Sequence, residues 1–173
     1  GFGVDNLPNG VIAAGAILYY LDATQHIQNG HIQQLSRIEE EKYVWLDRFT
    51  IRNLELVRGQ NEDSRTLYDV LDHTVTPMGG RMLHRWMALP LKEVRAIRNR
   101  QMVVEHLFKY PEQREMLKQE IGGIQDMERI VSKIATGRIS PREMVQLSKA
   151  LKALITIKNI CSNATDNSYL MLL

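Results

Sequence analysis

Cysteine occurs once in 173 residues, at Cys161, so an internal disulfide is excluded and a reducing compartment is the simpler expectation. With no second thiol and no metal-ligand spacing around it, Cys161 is expected to be inert. There is no run of five or more like charges, and a formal net charge of +2 is too small to argue for a nucleic-acid partner by itself. The longest apolar stretch, Val11 to Leu21, is shorter than the ~20 residues needed to cross a bilayer. It has neither a basic leader nor a small-residue cleavage pattern, so no membrane and a cytoplasmic location are expected. Repeats and low-complexity tracts are missing too. What is present, 44% hydrophobic and 24% charged residues, is a globular balance able to bury one core, or a core plus a fragment of another. The chain opens on Gly1 in mid-pattern and closes on the apolar Tyr169 to Leu173, from which a piece of a larger protein is expected.

The most informative stretch is Thr76 to Leu91. Thr76 fits a helix N-cap and Pro77 the first helical position, while Pro90 cannot continue the helix and pushes Leu89 out of it. At 100° per residue, Met78, Met82, Leu83, Trp86 and Met87 cover one side, and Arg81, His84, Arg85 and Ala88 the other. Gly79 projects from the apolar side, where a dispensable glycine would cost about 1 kcal/mol against alanine, so another backbone is expected close to it. Gly79, Arg81, Trp86, Pro90 and, further on, Arg100 are therefore read as structural residues, with Trp86 in the core.

The remaining pattern is mainly α. Asn9-Gly10 reads as a turn before a helix from Val11 to about Gln25, and a domain boundary is placed near residues 26 to 32. A short extended segment is expected near residues 31–46. Asp47 looks like an N-cap, residues 58–65 like a surface loop, and Ser64 or Thr66 like the cap of the next turn. A helix from about Lys92 to Lys109 places Val94, Ile97, Val104 and Phe108 in one arc. Tyr110-Pro111 restarts the chain into a short helix closed by Gly122-Gly123, and Ile124, Met127, Ile130, Val131 and Ile134 line another that ends at Gly137. Ser140-Pro141-Arg142-Glu143 is a capping box with proline at the first helical position. Behind it, Met144, Leu147, Leu151 and Leu154 recur at a spacing that seeks a partner helix.

Chemistry-bearing candidates are few. Arg81, Arg85, Lys92, Arg95, Arg98 and Arg100 form the densest basic group, and Arg95 and Arg98 are the candidate DNA-phosphate contacts. Solvated or structural roles are the stronger reading, with Arg81 and Arg100 open to pairing with Asp72, Asp126 or Glu128. His26 and His31 flank a turn without the further ligands a zinc site needs. Ser64, Ser140 and His73 have no spacing that makes them nucleophile and base, and Ser140 is accounted for by capping. No catalytic, cofactor-binding or metal residue is therefore assigned. The methionines fall on helical apolar faces and read as core.

Arg52-Asn53-Leu54-Glu55-Leu56, then Thr66-Leu67, Val70-Leu71-Asp72, Thr74-Val75-Thr76, Met78-Gly79, Arg81, Leu83, Trp86, Pro90-Leu91, Ile97 and Arg100 together resemble the core, or lever, domain of the MutS family of DNA mismatch-repair ATPases. Asp126-Met127-Glu128-Arg129, Ile134, Gly137-Arg138 and Ser140-Pro141 resemble its continuation. Phe2-Gly3-Val4 and the Ala13-Ala14-Gly15 helix through Thr24-Gln25 resemble the end of the family's connector domain. The resemblance implies a mainly α, multi-helix fragment, with 1–29 ending the connector and 30–173 beginning the core domain before the DNA clamp. It implies that the full-length protein uses ATP and Mg and binds mismatched double-stranded DNA. A second copy of itself and downstream mismatch-repair proteins are its implied partners. The family's Phe-x-Glu mismatch motif is absent: Phe2, Phe49 and Phe108 are followed two places later by Val4, Ile51 and Tyr110. Nothing matches G-x-x-x-x-G-K-[ST], the loop that cradles nucleotide phosphates, so no catalysis is expected of this segment. A free-standing helical protein-interaction module is the alternative, and a small hydrolase trails both.

Overall fold

The computed structural model describes residues 7–24, 32, 40–61 and 63–162. The expected boundary near 26–32, His26, His31, most of the extended segment and the apolar tail after Ser162 lie outside them. Among the described residues the chain is helical, with no β-strand. Its elements are α1 (Pro8–Ala23), a 3-10 turn (Glu40–Lys42), α2 (Arg48–Asn53), α3 (Leu67–Leu71), α4 (Pro77–Ala88), α5 (Val94–Lys109), α6 (Pro111–Gly122), α7 (Met127–Ala135) and α8 (Pro141–Ser162). What is described of the extended segment makes one antiparallel bridge, Tyr43 to Leu91. Its flanking bonds run from Val44 N–H to the Pro90 carbonyl (2.8 Å) and from Lys92 N–H to the Lys42 carbonyl (3.0 Å).

Local chemistry accounts for the helix ends. Asp47 accepts from Thr50 N–H at 2.8 Å and Thr76 from Gly79 N–H at 3.1 Å. Thr66 and Asp69 form a reciprocal capping box, the threonine accepting from Asp69 N–H at 3.2 Å and the carboxylate from Thr66 N–H at 2.9 Å. Ser140 and Glu143 do the same for α8. Two helices close with Schellman pairs of bonds. In α7, Gly137 takes φ 67°, its N–H reaches Ile134 and Arg138 N–H reaches Lys133. In α2 the left-handed position is filled by Glu55 at φ 48°, with Glu55 N–H on Arg52 and Leu56 N–H on Ile51. Asn9-Gly10 is not a turn: with Pro8 at the first helical position, both residues fall inside the opening turn of α1.

Packing runs α5 on α6, α6 on α8, α7 on α8, and α3 on α4. Among the described residues, Leu117, Ile124, Ile130 and Ala150 are the buried apolar side chains. Three expected faces are corrected. On α8, Met144, Leu151, Leu154 and Ile155 are exposed and Leu147 alone of the stripe is half-buried, while the packed face, rotated by about 100°, carries Ala150 and Ala153, whose small side chains admit the neighbouring helices closely. On α5, Val94, Val104 and Phe108 are exposed and Ile97 alone of the expected arc is half-buried, while His106 is buried and Leu107 half-buried. On α4, Met78, Leu83 and Met87 of the expected face are half-buried but Met82 and Trp86 are exposed, and the opposite side holds the buried Gly80 together with His84, whose ring meets Tyr68 of α3 edge-on at 5.5 Å.

Candidate functional site

The contacts of Arg81 join parts of the chain far apart in sequence. The second turn of α4, a helix started by Thr76 and Pro77, projects its guanidinium toward the start of α7. There Arg81 Nη1 and Nη2 donate to the two carboxylate oxygens of Asp126 at 2.9 and 2.7 Å. Nε and Nη2 donate to one oxygen of Glu128 at 3.0 and 2.6 Å. Asp126 also caps α7, accepting from Arg129 N–H at 3.2 Å. A planar guanidinium matches a carboxylate with two parallel bonds, so this contact fixes direction as well as distance. Asp126 first and Glu128 second raise the Arg81 pKa above its ordinary value, and Arg81 holds the Asp126 carboxyl below its own. Asp72, the third carboxylate offered to Arg81 by the sequence, instead accepts from Thr74 Oγ1 at 2.6 Å. Since α3 packs on α4 and α7 on α8, the fork links the two packed groups.

Arg100 lies with its guanidinium carbon 3.6 Å from the centroid of a Trp86 ring, crossing the turn between α4 and α5 that contains Pro90. Trp86 is 41% exposed, which corrects its assignment to the core. Part of its face is covered by a cation, and the burial that comes with this position lowers the Arg100 pKa. Gly79 is also corrected. A Cβ there would meet the side chains of Thr76 and Thr74 at 3.2 and 3.3 Å, not another backbone. The buried glycine is Gly80, where a Cβ would stand 3.1 Å from the Tyr68 hydroxyl.

Arg95 and Arg98 are both exposed on α5. Ser64 Oγ accepts from Asn61 N–H and Ser140 Oγ bonds Glu143, so both serines serve local structure, while His73 lies beside the groove between α6 and α8. Among the described residues no group of three His, Cys, Asp or Glu is arranged to hold a metal ion, and no helix is long and apolar enough to cross a membrane.

Sequence reasoning missed a polar junction. His106, 5% exposed on α5, contacts Gln113 Oε1 through Nε2 at 2.8 Å, and Gln113 Nε2 donates to the Ile160 carbonyl at 3.1 Å. That carbonyl lies in the last turn of α8. Since it can only accept, the amide oxygen of Gln113 faces the imidazole and Nε2 carries the proton. The available signal was the position of His106 beside Val103 and Leu107 at helical spacing.

Comparison with known proteins gives these contacts their context. Residues 49–171 match the family described as MutS domain III. This chain belongs to the MutS family. Over 168 residues it is 54% identical to the DNA mismatch repair protein MutS of Phocaeicola vulgatus, covering 97% of this chain and 19% of that protein. Identity is 53% to MutS of Bacteroides fragilis, with 97% and 20% covered, and 55% to MutS of Parabacteroides distasonis, with 97% and 19% covered. The chain thus spans about a fifth of the length of these relatives. In family terms the Arg81 and Arg100 contacts are internal fastenings of a helical MutS domain.

Proposed function

We propose that this segment is the mechanical middle of a mismatch-repair protein, a helical strut coupling ATP hydrolysis at one end of the full-length molecule to mismatched DNA held at the other. In this reading residues 1–29 end a connector domain and residues 30–173 begin the core domain. The full-length protein works in the cytoplasm beside a second copy of itself and downstream repair proteins. ATP and Mg belong outside this chain, whose residues do not fit a nucleotide site: it has no phosphate-binding glycine loop. Any DNA contact within the segment falls on Arg95 and Arg98.

The observation that carries this reading is the Arg81 fork on Asp126 and Glu128, because transmitting displacement requires packed groups that move as one body. The exposed apolar faces of α5 and α8 also fit a segment covered by other parts of a larger molecule. These faces equally favour the second reading, a free-standing interaction module.

The test is made in the longer protein. Mismatched-DNA affinity is measured with and without ATP for the parent and for Arg81→Ala. A coupling strut predicts that each ligand alone binds the variant as it binds the parent, while the ATP-induced change in DNA affinity shrinks. An unchanged coupling with Arg81 removed refutes it.

A further inference from the structure

A cavity of about 540 Å³ opens between α2, the loop that follows it and the last turns of α4. Arg48 and Arg52, one turn apart on α2, and Arg58 of the loop line it, and among the described residues no aspartate or glutamate does. All three arginines are exposed, and none has an ion-pair partner among the described residues. The carboxylates nearest to them in sequence are engaged elsewhere: Asp47 caps α2 through Thr50 N–H, and Glu55 accepts from Gln60 N–H at 3.2 Å. The place of Arg58 is set by the backbone. Glu55 turns the chain at φ 48°, and a Cβ at Gly59 would collide with Ser64, so the loop is closed against itself with Arg58 held beside α2.

Three cations around one cavity repel one another, and Arg48 and Arg52 do so at i, i+4 along a helix of only 6 residues. An anion among them relieves that repulsion. The rest of the lining selects the kind of anion. Leu46, Ile51, Val57 and Ala88 make the cavity partly apolar, which a bare phosphate or a DNA backbone leaves uncovered and a polypeptide carrying an aliphatic side chain beside its carboxylates fills. Phe49 on the same helix is 78% exposed, so apolar surface continues beside the cavity. This chain spans about a fifth of the length of its relatives, and the remainder of the same polypeptide is the nearest source of such a segment. We infer that the cavity between α2 and α4 seats an acidic segment of the same protein from outside residues 1–173, an aspartate or glutamate pairing with these arginines and an aliphatic neighbour covering the apolar lining. Such a seat is where the longer protein grips the strut, and it rests on the reading above for the existence of that grip.

Carbodiimide coupling in the longer protein joins an amine directly to a touching carboxylate and so reads the occupant. Arg48→Lys, Arg52→Lys and Arg58→Lys are prepared singly, so that a variant failing to fold leaves two others, and Lys133 beside Glu143 serves as the internal control for coupling. At least one introduced amine is expected to couple to an aspartate or glutamate outside residues 1–173, identified by mass spectrometry. Mixing ordinary and isotope-labelled copies is expected to place both ends of the link on one polypeptide. Coupling at Lys133 with none at the three positions overturns the inference, as does coupling only within residues 1–173 or only between copies. Arg52→Gln with Arg58→Gln is expected to leave the salt dependence of DNA affinity unchanged. A log–log slope shallower by roughly 0.9 for each arginine removed assigns the cations to DNA phosphates and also overturns it. The effect of Arg81→Ala on ATP-dependent DNA affinity is read separately, so the strut reading and this seat stand or fall independently.

Discussion

Asp126 grips Arg81 with both carboxylate oxygens while one of the same oxygens caps α7, so a single side chain aligns α4 with the start of α7. A change at either residue therefore alters a relationship between helices as well as a bond. Arg81→Lys keeps the charge and loses the planar fork. It is expected to lower the melting temperature more than Arg85→Lys, a control on the same helix, and differential scanning calorimetry on the two variants decides it. Equal losses would mean that Arg81 acts only as a charge.

Trp86→Ala is expected to cost about 1–2 kcal/mol, from partial burial at ~25 cal/mol per Å² and a cation–π contact of ~0.5–1 kcal/mol. A fully buried tryptophan would cost ~3–5 kcal/mol. Urea unfolding measures the difference. Arg100→Ala in the Trp86→Ala background should then add less than it does alone, because the partner is already gone.

Gln113→Leu leaves the His106 imidazole and the Ile160 carbonyl without their shared partner inside the α5–α6–α8 junction. Each group stripped of its bond costs ~1–3 kcal/mol where water cannot replace it. The variant should lose at least the lower figure in urea unfolding, and the amide protons in the last turn of α8 should exchange faster. A neutral outcome would mean that water already reaches the junction.

The Lys133 ammonium, followed by the Ser140 backbone N–H and hydroxyl, pushes the Glu143 pKa down from 4.5 to about 2. Because the folded chain holds this carboxylate ionised more firmly than the unfolded chain does, its contribution to stability is complete above pH 4.5. It is lost as pH falls toward about 2. The melting temperature of Glu143→Gln should therefore lie below that of the parent at pH 6 and converge with it near pH 2. A gap independent of pH would remove the titration from the explanation.

Much of this helical order was legible in the sequence because helix ends depend on a few neighbouring atoms. Thr66, Thr76 and Ser140 with Glu143 act where their spacing puts them, and Gly137 takes the left-handed position its place after Ile134 requires. Faces were harder to read. The leucine stripe of α8 and the Val104–Phe108 stripe of α5 are as apolar as a core, yet the packed faces are those of Ala150 and His106. Periodicity records that a stripe must be covered without recording which neighbour covers it, and small residues allow a closer approach than leucine. The Arg81 partners were narrowed to three carboxylates because only charge could be read. Choosing Asp126 and Glu128 required the path of the chain across 45 and 47 residues. The Gln113 junction joins three helices, so no local pattern could announce it.

The central claim, that the group containing α4 and the group containing α7 and α8 form one stiff body, is tested most directly by a distance distribution. Spin labels are placed on the exposed positions Arg85 of α4 and Lys149 of α8, each changed to cysteine with Cys161→Ser, and read by pulsed electron resonance. A stiff strut fastened by Arg81 predicts a single narrow distance that broadens in Arg81→Ala. A broad distribution in the parent, or the same narrow one with Arg81 removed, would contradict it.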